Sequence, residues 1–193
     1  MSDTDRGRWD QRYAEGSYRS RPWPSPFLST WVERLGLSEG APALDIACGL
    51  GRNARFLARS GFDVIGQDIS EVALQQARDI GREEGIHVAY EQADFDTRYP
   101  EPQRFAVISC IRFMNRQLHP HLPEALAPGG WLLFEHHYIT DADVSGPPDD
   151  FRLRPQELLE LCQMLSVTHF EERGDRDRDG RSMALSRIVA QRR

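Results

Sequence analysis

Short apolar runs alternating with amphipathic segments constrain this chain more than any other feature. Residues 42–47 (PALDIA) read as a strand, 52–60 as a helix, 62–67 as a second strand and 70–84 as a helix with Ser70 at its N-cap. The pattern repeats with strands at 86–92, 104–110 and 130–136 and a helix at 118–126. Parallel strands buried on both faces, with helices as crossovers, are the natural packing for such a series. After a helix at 155–165, strands at 167–173 and 183–191 flank the charged turn GDRDRDGRS, a hairpin signal. The expected fold is therefore α/β: a doubly wound, mostly parallel seven-stranded sheet closed by a C-terminal antiparallel hairpin. No repeat or linker divides it, so residues 1–193 are expected to form one domain, with 1–38 as an N-terminal lid or helical segment.

In such a sheet the ligand sits beyond the C-terminal strand ends, at the switch point. There the chain reads ALDIACGLGRN, an acid followed by two glycines and then neither lysine nor Ser/Thr to grip a phosphate. Gly49 and Gly51 suit a turn that lets backbone N–H groups approach a ligand. The spelling G-L-G-R-N-A also satisfies G-x-G-x-x-G/A, which by itself leaves a nicotinamide enzyme and other nucleoside binders open. The acids narrow the choice. Asp45 lies in the first strand, and Asp68 ends the second, where a carboxylate can accept bonds from both ribose hydroxyls. Asp94 follows the third, placed to accept from an exocyclic adenine amine, with Phe95 beside it to pack on the ring. The implied ligand is an adenosine without pyrophosphate, carrying a cationic group near Asp45.

These residues resemble the class I S-adenosylmethionine-dependent methyltransferases. The family's first motif, D/E-x-G-x-G-x-G, lies over Asp45, Ala47, Gly49 and Gly51, with Ala47 where glycine is usual. Asp68 falls on the ribose acid, Asp94 on the adenine-contacting acid, and APGG at 127–130 on the turn before the fifth strand. GLGRN and WDQRY...PSPFL are similar, more narrowly, to the small tellurite-resistance and thiopurine methyltransferases. The resemblance implies S-adenosyl-L-methionine as cofactor, with Asn53, Ile69 and Cys110 among its contacts, and places Ser109, Arg112 and Phe113 near the methyl and acceptor. Methyl transfer from a sulfonium is a displacement activated by the cofactor, so no triad or metal cluster is required. Trp9 and Tyr13, one helical turn apart, with Tyr18 following, form either an aromatic lid or a helix-packing face. Arg12 is a candidate for the cofactor's carboxylate. If the acceptor needs a base, His136 or His137 at the end of the fifth strand is the candidate. The polar, Pro-rich segment 140–151 is either an acceptor lid or a surface loop.

Composition bounds the partners. With 24 Lys+Arg against 30 Asp+Glu the formal net charge is -6, which disfavours a polyanion such as nucleic acid. No apolar run approaches a membrane span, and MSDTDRGRWD lacks the marks of a secretory signal, so a cytoplasmic protein is expected. Cys48, Cys110 and Cys162 have neither CxxC nor disulfide spacing and read as buried thiols, and no His spacing matches a metal-ligand pattern. With the chain nearly consumed by one fold, the expected partner is a small-molecule acceptor, and no oligomeric state is assigned. The alternatives are a nicotinamide-dependent oxidoreductase and a noncatalytic binder of the same cofactor.

Overall fold

The computed structural model describes residues 3–19, 21–37 and 39–193. Two N-terminal helices, α1 (Asp3–Ala14) and α2 (Pro26–Leu35), precede β1 (Pro42–Ile46), α3 (Arg52–Arg59), β2 (Asp63–Asp68), α4 (Glu71–Glu83), β3 (Ala89–Gln92) and β4 (Phe105–Ile111). The chain continues through α5 (His121–Ala125), β5 (Leu126–His137), a single 3-10 turn at Asp149–Phe151, α6 (Glu157–Leu161), β6 (Ser166–Arg176) and β7 (Ser182–Gln191). The seven strands form one sheet in the order β3-β2-β1-β4-β5-β7-β6. The first five are parallel, and β7 runs antiparallel to both β5 and β6. The fold class expected from sequence is borne out. Reversal of strand order at β1 and β4 makes the switch point, because β2 and β3 lie on one side of β1 and β4 and β5 on the other.

Strand alternation divides the core between two faces. Ala43, Val107, Leu133 and Val189 pack with Phe27, Leu28 and Val32 of α2 and Leu57 of α3. Their neighbours Leu44, Ile108, Leu132, Phe134 and Ile188 pack on the opposite face with Leu122 and Leu158. Local signals set the ends of two helices. Ser70 caps α4, its Oγ accepting from Ala73 N at 3.1 Å. Pro26 opens α2 and Gly36, at φ 55°, closes it.

Three elements are shorter than their patterns suggest. Residue 86, expected in the third strand, instead closes the C-terminus of α4 from beyond its last turn, Ile86 N donating to Gly81 O at 2.8 Å, and β3 begins at Ala89. The helix expected over 118–126 is confined to His121–Ala125, because Pro128 favours extended backbone before it and Leu126 already pairs with Phe105. The last helix spans only Glu157–Leu161, followed by turns in which Leu165 N donates to Cys162 O at 2.9 Å. Conversely, the hairpin is longer, with pairing up to Arg176–Ser182. Among the described residues no helix is long and apolar enough to cross a membrane.

Candidate functional site

Beyond the ends of β1, β2 and β4 lies a cavity of about 160 Å³. Ala47, Gly49 and Asn53 border it from the turn after β1, Asp68 and Ile69 from the end of β2, and Phe95 from the segment after β3. Trp9, Tyr13 and Tyr18 cover it, their ring centroids 5.8–6.5 Å apart. α1 is seated there by α4: Ser70 Oγ donates to Asp10 Oδ1 at 2.6 Å, and Gln76 Nε2 to Tyr13 O at 3.2 Å. With Arg112 and Phe113, eleven of the expected site residues thus share one cavity.

Asp68 is buried, and each carboxylate oxygen accepts a backbone N–H, from Gly49 at 2.8 Å and Ser70 at 2.9 Å. The first of these bonds fixes the glycine turn to the end of β2. Burial pushes the Asp68 carboxyl up to about 6 against the pull of those amides. Gly49 adopts φ 53°, and a Cβ there would stand 2.5 Å from Tyr13 Oη, so the turn is bare where the lid meets it. Ala47 adopts φ 53° as well, in the left-handed region that favours glycine. The family's usual residue would be unstrained there.

Asp45 sits behind this wall, 1% exposed, with Oδ1 accepting from Ser109 Oγ at 2.7 Å. Its Oδ2 has no hydrogen-bond partner. Desolvation raises this carboxyl to about 7, although Ser109 and the Arg52 charge favour ionisation. Asp45 is not part of the cavity wall, so its charge reaches a bound group through the field and without direct contact.

Other expectations are not brought to the cavity. Gly51 (φ 73°) is no part of its wall; a side chain there would collide with the Tyr90 hydroxyl, so packing requires this glycine. Asp94 lies outside the wall too, with Oδ1 accepting from Asp96 N at 3.0 Å in the turn that follows β3. Cys110 and His136 fall on the strand face opposite Ser109 and Glu135, because consecutive strand residues alternate. Cys110 is buried in that second core. His136 is 4% exposed, its Nε2 2.7 Å from Phe151 O and its Nδ1 without a partner, and burial lowers its pKa to about 4. His137 lies beside Arg112, Nε2 to Nη1 2.9 Å, away from the cavity wall, and desolvation with the Arg112 charge pulls it to about 3. Arg12 stacks over Trp9 at 5.2 Å. The segment 140–151 packs on the hairpin, Ser145 N donating to Ser182 O at 2.8 Å, and is not part of the cavity wall.

Two cationic wall residues escaped the sequence reading, Arg21 and Arg52. Arg52 follows Gly51 directly, and this adjacency was the available signal. Arg21 had none, since its contacts are tertiary: Nη2 meets Asp177 at 3.3 Å and Asp179 at 2.5 Å in the turn between β6 and β7. Arg178 of the same turn lies 4.9 Å over Trp23. Arg112, at φ 63°, donates from Nε to Glu135 Oε1 at 2.9 Å, and Glu135 in turn accepts from Arg187 at 2.6 Å. Burial works against the charge on Glu135, but the two guanidiniums hold its carboxyl below the usual range.

Residues 43–130 match the family described as "Methyltransferase domain". The chain is 27% identical over 133 residues to a ubiquinone biosynthesis O-methyltransferase of Bordetella avium, the match covering 65% of this chain and 54% of that protein. It thus spans about half the length of this curated relative. TehB from Haemophilus influenzae has a similar fold, with TM-score 0.71 and 21% identity over 86% of this chain and 61% of that one. So does phosphoethanolamine N-methyltransferase 2 of Haemonchus contortus, solved with S-adenosyl-L-methionine, with TM-score 0.66 and 16% identity over 86% of this chain and 52% of that one.

Proposed function

We propose that this chain, whose residues 43–130 match a methyltransferase domain and whose fold is similar to that of TehB, transfers a methyl group from S-adenosyl-L-methionine to a small-molecule acceptor. The observation that carries this reading is the cavity at the switch point, where Asp68 ends β2 beside a bare glycine turn and Phe95 adds an aromatic wall. The residues fit the cofactor. Asp68 accepts the ribose hydroxyls, Ile69 and Phe95 flank the adenine, and the field of Asp45 behind the wall favours a cationic amino-acid end nearby.

The cofactor supplies an activated methyl group on a sulfonium. The chain's part is to orient the acceptor and exclude water. Trp9, Tyr13 and Tyr18 form a cover whose faces favour a cation and whose rings keep solvent out. No histidine is among the described residues of the wall, and His136 and His137, near 4 and 3, are weak bases. This favours an acceptor that is already nucleophilic, such as a thiol or a reduced chalcogen, with catalysis spread over positioning residues.

Calorimetry tests the cofactor assignment. S-adenosylhomocysteine is expected to bind in preference to NAD. Asp68→Ala should weaken that binding by about 1.5–3 kcal/mol, the scale of hydrogen bonds to a charged group. Tighter binding of NAD, or unchanged affinity in Asp68→Ala, would overturn the reading.

A further inference from the structure

The cavity of this acidic chain has a cationic wall. Three guanidiniums border it, Arg21 from the segment before α2, Arg52 from the first turn of α3 and Arg112 from the residue after β4, whereas Asp68 is the only carboxylate among the described wall residues. These arginines come from elements that carry none of the adenosine-facing residues Asp68, Ile69 and Phe95. The chain has no lysine, so every cation available here is a planar fork suited to an oxyanion.

Their existing bonds differ. Arg112 is anchored through Nε to Glu135 and through Nη1 to His137 and Met183 Sδ, which fixes its plane. Arg21 is tethered on its outer side by Asp177 and Asp179. Arg52 is half-buried, and its guanidinium makes no hydrogen bond or ion pair among the described residues. Burial and the charges of Arg112 and Arg21 act against its ionisation, Asp45 and Glu135 oppose them through the field alone, and both acids are buried and bonded elsewhere, to Ser109, Arg112 and Arg187. A guanidinium taken partly out of water without a partner is costly unless a ligand brings the counter-charge. With Arg112 and Arg21 beside it, that ligand group is negative, and the cavity's field concentrates anions although the whole chain carries -6.

We propose that the methyl acceptor is an acidic small molecule whose carboxylate or similar oxyanion group is seated on Arg52 between Arg112 and Arg21. This rests on the methyltransferase reading and adds the class of substrate. Phe113, Trp9 and Tyr18 on the same wall favour an aromatic body for such an acid.

Benzoate and benzamide, matched in shape and different in charge, are suitable probes for calorimetry with the protein saturated in S-adenosylhomocysteine. Benzoate is expected to bind about tenfold or more tightly than benzamide, the scale of charge-assisted bonds. Arg52→Gln should reduce that preference to within about twofold while leaving S-adenosylhomocysteine affinity within about threefold, and Arg52→Lys, which keeps the charge, should retain most of the preference. Absence of a benzoate preference in the wild type, whether both probes bind equally or neither binds, overturns the proposal. So does an Arg52→Gln protein that keeps the preference but loses cofactor affinity, because Arg52 then serves the cofactor's own carboxylate. Failure of the wild type to bind S-adenosylhomocysteine is a separate result and overturns the methyltransferase reading itself.

Discussion

Replacing Asp45 with asparagine is expected to stabilise the ligand-free protein and weaken its hold on the cofactor. The carboxyl is 1% exposed, has one partnerless oxygen, and is raised by burial from 3.8 to about 7. A carboxyl raised in the folded state contributes stability that is fully present below pH 3.8 and lost as pH rises through 7. At about 1.36 kcal/mol per pH unit, the wild type forfeits about 4 kcal/mol by pH 8 but only about 1.6 kcal/mol at pH 5. Asparagine keeps the shape and an acceptor for the Ser109 hydroxyl without the charge. The gain from Asp45→Asn should therefore be larger at pH 8 than at pH 5 by about 2–3 kcal/mol. Urea denaturation of both proteins at the two pH values measures this directly. Calorimetry with S-adenosylhomocysteine at pH 8 should show weaker binding by the variant, because the buried charge no longer favours the ligand's cationic end through the field. A gain that does not depend on pH, or a less stable variant at pH 8, would refute the account of Asp45 as an acid held buried for its ligand.

Ala47→Gly should raise stability by up to about 1 kcal/mol, since relief of a left-handed alanine exceeds the entropy glycine brings; a thermal midpoint below the wild type's contradicts this. Gly51→Ala should destabilise by about 2 kcal/mol or more in chemical denaturation, through both its φ of 73° and the Tyr90 hydroxyl, and a neutral result would mean that the ring is free to move. His136→Ala and His137→Ala should each keep turnover within about tenfold, below the 10²–10⁴ typical of a lost general base. S-adenosylhomocysteine release with the preferred acceptor measures it, and a thousandfold loss in either variant replaces the base-free mechanism.

Periodicity carried the sheet, and the acid and glycine turn at the strand ends carried Asp68 and Gly49 to the cavity. Apolar runs of five or six residues ending in Asp68, or in the glycine turn after Asp45, are local patterns, and local chemistry makes them: alternation buries a strand, and glycine admits the left-handed turn. Strand alternation was also present in the sequence and explains why His136 and Cys110 turn away, but which face holds the cavity depends on where α2, α3 and the lid pack. Gly51 shows the same division. Its positive φ was legible as a turn, while the Tyr90 ring that requires it comes from β3, 39 residues along the chain. The cationic wall was decided by tertiary structure. Arg21, Arg52 and Arg112 are scattered among 24 arginines, and only the crossover connections, the hairpin that tethers Arg21 and the buried Glu135 that anchors Arg112 make them neighbours. Electrostatic convergence depends on distance in space, and spacing along the chain does not encode it until the sheet order has brought those elements to one end.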